Sequence, residues 1–108
     1  MCKYQTLYYD RSAGQVIHCH QCNNLQVAFG NLAITLSYAE FSKFKIWIRE
    51  IADEHMTQFG SSSRTIAVPT PCAGMKILLN PFELDRLNSM LETADTEFQS
   101  LQLLNLFS

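Results

Sequence analysis

The sequence predicts an α+β fold, namely a mostly antiparallel sheet of about six strands in the order ββ-ββα-ββα, with the helices on one face. Three observations predict this class. Short segments rich in aromatic and β-branched residues alternate with turn residues. Two later segments repeat apolar residues at helical spacing, and each of these follows a polar capping motif. The chain of 108 residues is predicted to form a single domain, 1–108.

The first two strands are predicted at Tyr4–Tyr9 and Gln15–Cys19. They flank a polar turn that ends in Gly14, which can adopt the positive φ that closes such loops. If Tyr9 pairs with Gln15 and the register continues unchanged, Cys2 lies opposite Cys22 in this hairpin.

The next two strands are predicted at Leu25–Phe29 and Leu32–Leu36, joined by Gly30-Asn31. A two-residue turn of this kind is typical of a β-hairpin. Ser37 and Glu40 then form a capping box, which predicts a helix from about Tyr38 to Glu54. The apolar stripe of this helix recurs at spacings of three and four residues, at Phe41, Phe44, Ile48 and Ile51.

The same order of elements recurs after a flexible connector at Phe59–Ser63. Strands are predicted at Arg64–Val68 and Met75–Leu79, and a second helix begins behind Asn80 as the N-cap. Pro81 at the first helical position and Glu83 as the capping-box partner support this start. The helix carries its own apolar stripe at Leu84, Leu87, Leu91 and Ala94.

The C-terminal segment Thr96–Ser108 is rich in large apolar residues. Phe98 and Leu101 keep the helical phase of the preceding stripe, so the second helix either continues or restarts near Asp95-Thr96. Such a tail either docks on its own core or forms an interface between protomers. A homodimer through this C-terminal apolar tail is therefore one expected assembly.

The charge balance argues against a general polyanion-binding protein. Eight Lys and Arg residues are scattered among ten Asp and Glu residues, for a net charge of −2 and a pI near 5.8. No apolar run is long enough to span a membrane, and Met1–Gln5 lacks the apolar stretch of a secretory signal. We therefore expect a cytoplasmic protein with reduced thiols.

The cysteines suggest a metal site. Cys19-His20-Gln21-Cys22 has the Cys-x-x-Cys spacing with which two thiolates converge on a tetrahedral zinc ion from one turn. The residue after Cys22 is Asn23 rather than glycine, but asparagine also tolerates the left-handed conformation that such turns need. With Cys2 across the hairpin, the predicted ligands of a structural zinc are Cys2, Cys19, Cys22 and, as the fourth, Cys72. His20 and His18 are the alternative fourth ligands.

Three function classes follow from these observations. The first is a small non-enzymatic interaction or regulatory module of unknown process, which carries the structural zinc. The second is a thiol-dependent enzyme or redox protein that uses Cys19 or Cys22, although the motif lies between strands rather than at a helix N-terminus. The third is single-stranded nucleic-acid binding, for which four tyrosines would provide a stacking face without a basic groove around them: Tyr4, Tyr8, Tyr9 and Tyr38.

The order of several short motifs resembles a family of short bacterial proteins of unknown function. The resemblance spans nearly the whole chain and includes Cys2, Cys19-His20-Gln21-Cys22, Phe29-Gly30-Asn31, Ile66–Pro71 and the leucine-rich end. It implies a stand-alone cytoplasmic protein and supplies no activity or catalytic residue.

Overall fold

A computed structural model describes residues 3–55 and 63–106. Six strands and two helices follow one another in the predicted order. The strands are β1 (Tyr4–Asp10), β2 (Gly14–Cys19), β3 (Leu25–Phe29), β4 (Leu32–Leu36), β5 (Ile66–Pro69) and β6 (Lys76–Leu79). The helices are α1 (Tyr38–Glu54) and α2 (Pro81–Leu106). The α+β class is confirmed.

The six strands form two antiparallel sheets rather than the one sheet that the sequence predicted. The main sheet has four strands in the order β1-β2-β3-β4, while β5 and β6 pair only with each other. Alternation along a strand indicates which side chains face the core, but it does not indicate which strand lies alongside. The β5–β6 hairpin contributes Ile66, Val68 and Leu79 to the same core as the main sheet.

One face of the main sheet and the apolar sides of both helices enclose the core. Val16, Val27 and Ile34 are neighbours across β2, β3 and β4, and all three are buried. The most deeply buried helical side chains on the opposite side include Phe41 and Met90, which are both fully inaccessible. This packing supplies most of the stability, because each fully buried large apolar side chain contributes about 1.5–3 kcal/mol.

Both predicted capping boxes are confirmed. At the start of α1, the Glu40 amide donates to Ser37 Oγ at 3.2 Å, and the Ser37 amide donates to Glu40 Oε1 at 2.9 Å. At the start of α2, the Glu83 amide donates to Asn80 Oδ1 at 2.8 Å, and the Asn80 amide donates to Glu83 Oε1 at 3.0 Å. Four amides of the helix N-terminal regions thereby gain partners, which fixes where each helix begins.

The second helix continues without a break to Leu106, so the alternative of a restart at Asp95-Thr96 is wrong. Asp95 is instead buried at 3% exposure, on the side of α2 that faces α1. Its carboxylate accepts hydrogen bonds from Tyr38 Oη at 2.9 Å and Gln99 Nε2 at 2.9 Å, and pairs with Lys45 Nζ at 2.7 Å. These contacts bind the two helices together where the sheet ends.

The connector predicted at Phe59–Ser63 lies outside the described residues except for Ser63. Within the described residues, neither helix combines the length and the apolar character needed to cross a membrane.

Candidate functional site

The Cys-x-x-Cys segment forms a tight turn between β2 and β3. The Cys22 amide donates to Cys19 Sγ over 3.5 Å, and the Asn23 amide donates to the Cys19 carbonyl oxygen at 2.9 Å. Asn23 has φ 61°, so the predicted left-handed conformation directly after Cys22 is confirmed. The two cysteines of the motif therefore lie in one tight turn, the arrangement from which such a pair can bind a metal ion.

The predicted register of the first hairpin is confirmed at Tyr9, which pairs with Gln15, but it does not continue unchanged. A bulge at Leu7 shifts the pairing by one residue, so that Tyr4 lies opposite Cys19. The bulge lets Leu7 and Tyr8 both contact the core, which strict alternation would prevent. Cys2 lies outside the described residues, so its predicted position opposite Cys22 is not tested.

One histidine of this segment, His18, contacts α2. His18 is buried, and its Nε2 lies 2.7 Å from Asn23 Oδ1. Its ring packs edge-to-face with the Phe98 ring, with centroids 4.9 Å apart. The exposed His20 ring lies 5.2 Å from the His18 ring, centroid to centroid. Strand alternation directs Cys19 to the other side of the sheet. Of the alternative fourth zinc ligands, His18 therefore packs against α2, whereas Cys19 faces away from it.

The fourth predicted ligand, Cys72, is an exposed free thiol in the loop between β5 and β6. Thr70 orders this loop, because its hydroxyl donates to the Met75 carbonyl at 2.9 Å and accepts from the Cys72 amide at 3.2 Å. Residues 3–55 and 63–106 contain no group of three His, Cys, Asp or Glu side chains placed to hold a metal ion. The zinc set with Cys2 stays a prediction.

Within residues 3–55 and 63–106, no helix covers the second face of the main sheet. Alternate residues of all four strands line it, whereas both helices pack on the opposite face. None of its side chains is charged. We call this surface the open sheet face: Tyr4, Thr6, Tyr9, Gln15, Ile17, Cys19, Gln26, Ala28, Ala33 and Thr35.

The four tyrosines considered for base stacking do not share one face. Tyr4 and Tyr9 lie on the open sheet face and are 61% and 67% exposed. Tyr8 packs against the core because of the bulge. Tyr38 stacks on Phe98, with ring centroids 4.8 Å apart, and donates its hydroxyl hydrogen bond to Asp95. The four tyrosines therefore do not form one stacking surface, and the nucleic-acid alternative loses the surface on which it depended.

The C-terminal part of α2 is the second uncharged surface. Phe98 contacts His18 and Tyr38, and beyond it the helix continues through residues 99–106, which we call the α2 extension. Leu103, Leu104 and Leu106 are 56%, 64% and 78% exposed. No charged side chain occurs from Phe98 to the end of the sequence. The extension adds about 12 Å of helix to a molecule whose longest dimension is 47 Å.

The described surface carries shallow cavities. One of about 240 Å³ lies where the start of α2 meets the β1–β2 turn, and one of about 210 Å³ lies between the β3–β4 turn and β6. Pockets for drug-sized ligands usually enclose about 300–1,000 Å³. The first cavity is lined by Ser12, Ala13, Phe29, Gly30, Asn80, Phe82, Glu83 and Arg86.

The groups with shifted pKa values belong to surface ion pairs near these cavities. Ser12 donates its amide and hydroxyl to Asp10 at 2.8 and 2.9 Å, which lowers the pKa of that carboxyl group, and Arg86 adds a smaller attraction. The bidentate contact from Arg64 lowers the pKa of Glu83 and raises that of the Arg64 guanidinium. The hydrogen bonds and ion pairs that cause these shifts hold the β1–β2 turn and the start of α2 in place.

Two features of the protein, the open sheet face and the buried ion pair of Asp95, were missed by sequence reasoning, although the sequence contains a signal for each. The absence of charge at alternate positions of all four strands marks the open sheet face. An aspartate in the apolar phase of α2, beside Ala94 and three residues before Phe98, marks the buried ion pair.

Comparison with protein families matches residues 1–107 to one family model, which is described as a family of unknown function. This confirms the resemblance to such a family, while a bacterial origin stays a prediction. No curated protein and no solved structure matches the chain.

Proposed function

This chain belongs to DUF6686, a family of unknown function, and we propose that it is a small non-enzymatic interaction module whose first partner is a second copy of itself. The contact surface is the apolar α2 extension. We place this module in the cytoplasm, which keeps exposed thiols reduced.

The observation that carries this proposal is the exposure of three leucines on an uncharged helix end. Leu103, Leu104 and Leu106 each expose more than half of their surface, and transferring such a side chain out of water contributes about 1.5–3 kcal/mol. A helix that is apolar on several sides is normally covered. A second copy brings an equally uncharged surface, so no charge has to be desolvated on either side.

Sedimentation equilibrium across a wide concentration range tests the self-association. The unmodified chain, of 12.3 kDa, is expected to approach twice this mass. Leu104→Glu places a carboxylate within the apolar surface and is expected to weaken the dimer at least about tenfold. Thr93→Glu, at an exposed position of α2 before the extension, is the matched control and leaves the dimer unchanged. A chain that stays monomeric at about 1 mM, a concentration far above the Kd of ordinary specific interactions, contradicts the proposal.

We further propose that the Cys19–Cys22 turn binds a structural zinc ion, with Cys2 and Cys72 as the other predicted ligands. The amide donated to Cys19 Sγ and the left-handed Asn23 support this proposal, because both belong to a tight turn of the kind from which two cysteines converge on one metal ion. Zinc would cross-link the end of the sheet and thereby add to the stability of the fold.

Elemental analysis of protein purified without chelator tests the zinc site. One zinc per chain is expected, with loss of the metal in Cys22→Ser and a lower Tm after chelation. Cys72→Ser keeps the zinc if a histidine is the fourth ligand and loses it if Cys72 is. Substoichiometric zinc in the unmodified protein, together with a Tm that a chelator does not change, would overturn this assignment.

A further inference from the structure

The α2 extension alone is too small to form a stable interface with an identical extension. Its three exposed leucines offer on the order of 300 Å² per copy. Two extensions in contact would then bury on the order of 600 Å², whereas stable and specific interfaces bury at least about 1,200 Å². A dimer that rests on the proposed self-association therefore needs a second surface.

The open sheet face provides an uncharged surface of matching size. Four strands about 4.8 Å apart, with about five residues each, cover on the order of 300 Å². Part of this face, toward its β4 edge, carries small side chains, since Ala28 and Ala33 lie in adjacent strands and directly pair. An apolar helix can therefore approach this part of the sheet closely. Helix-on-sheet contact is also the packing that the opposite face already uses.

The extension of a chain cannot reach its own open sheet face. Helix α2 packs on the core face through Leu87, Leu91 and Phe98. It then continues past the end of the sheet as one uninterrupted helix. The open face lies on the far side of the same sheet, so a helix on it must come from another molecule.

We infer that the α2 extension of one copy packs on the open sheet face of a second copy, and that the second copy returns the same contact. Each extension and each face contribute on the order of 300 Å². The reciprocal arrangement then buries on the order of 1,200 Å², within the range of specific interfaces. A two-fold axis relates the two contacts, as in most homodimers.

Charge favours a second copy over an acidic or basic partner. The chain has 18 residues of the types Lys, Arg, Asp and Glu, yet none lies on the open sheet face or on the α2 extension. A charged partner would lose hydration at either surface without gaining an ion pair. The two uncharged surfaces of one chain, in contrast, can cover each other without that cost.

Paired substitutions across the predicted contact test the inference by sedimentation equilibrium. Ala33→Lys on the open face and Leu104→Glu on the extension are each expected to weaken self-association at least about tenfold. An equimolar mixture of the two variants is expected to recover a dimer, because the new lysine and glutamate face each other in a mixed pair. Lys76→Glu, on the exposed end of β6, is the control and leaves the dimer unchanged.

Photo-crosslinking locates the contact directly. Benzoylphenylalanine at position 104, in a mixture of light and nitrogen-15-labelled copies, is expected to give light–heavy adducts on residues 32–36. Adducts between two extensions, or a dimer that Ala33→Lys leaves intact, would refute the inference while the proposed self-association stands. A chain that is monomeric throughout would refute both.

Discussion

Replacing Gly14 with alanine is expected to destabilise the protein more than any other single-methyl change among its described glycines. Gly14 has φ 148°, and a Cβ built on it would lie 1.9 Å from the carbonyl oxygen of Ala28 on the neighbouring strand. Neither backbone can yield without breaking the ladder at Phe29. Backbone strain and overpacking each cost about 1–3 kcal/mol, so we expect a loss of about 3 kcal/mol or more.

Gly30→Ala is the matched control for this experiment. Gly30 also has a positive φ, of 60°, but apart from the adjoining residues no heavy atom of the described residues lies within 4 Å of a Cβ there. Only the left-handed strain remains, which costs about 1–2 kcal/mol. Urea unfolding of the three proteins measures both losses. Equal losses for the two variants would show that β2 and β3 do not approach as closely at Gly14 as the structure indicates.

The local part of the fold could be predicted from the sequence because its signals lie within a few residues of each other. Ser37 and Glu40 are three positions apart and complete each other's hydrogen bonds, so the pair predicts the helix start by itself. Gly30-Asn31 likewise predicts the turn between two strands whose bounds agree with the structure, Leu25–Phe29 and Leu32–Leu36.

The non-local part could not be predicted in the same way. The bulge at Leu7 exists because the core accepts both Leu7 and Tyr8, and no sequence signal within β1 predicts it. The consequence extends to the candidate site, since one residue of shift changes which residues lie opposite Cys19 and its neighbours. The separation of β5–β6 from the main sheet has the same origin, because pairing depends on how the helices fill the core.

The turn of the candidate site could be predicted from the spacing of its cysteines, but the residues that surround it in the fold could not. The Cys19–Cys22 turn and the left-handed Asn23 follow from local chemistry. The burial of His18 against Phe98 joins residues 80 positions apart, through the length of α2 rather than through any motif. The open sheet face is likewise a property of four strands together.

Replacing Asp95 with alanine is expected to cost about 3 kcal/mol, because it leaves the Lys45 ammonium and the Tyr38 hydroxyl without their main acceptor. The Lys45 side chain is only 16% exposed, so water cannot fully replace the carboxylate. Glu97→Ala, at an exposed position two residues along the same helix, is the control and should change stability by less than about 0.5 kcal/mol.

The double variant Lys45→Met/Asp95→Leu separates two contributions to the free energy of unfolding. One is the cost of leaving a buried charge without its partner, and the other is the net contribution of the ion pair. Together the two substitutions replace the pair with apolar side chains of similar size, and we expect the double variant to regain most of what Asp95→Ala loses. Denaturant unfolding of the double variant and both single variants gives the coupling energy. A double variant as unstable as the sum of its single variants would mean that Lys45 and Asp95 do not act as a pair.

Asp95→Ala is also expected to weaken self-association, although Asp95 lies outside the proposed contact. Asp95 accepts a hydrogen bond from Gln99, the first residue of the α2 extension. It also accepts one from Tyr38, whose ring stacks on Phe98. Without these contacts the last turns of α2 lose their attachment to α1 and fray. Amide hydrogen exchange is therefore expected to accelerate in residues 99–106 of Asp95→Ala before it accelerates in β2 and β3. Uniform acceleration across the chain would instead indicate that Asp95 contributes only to global stability.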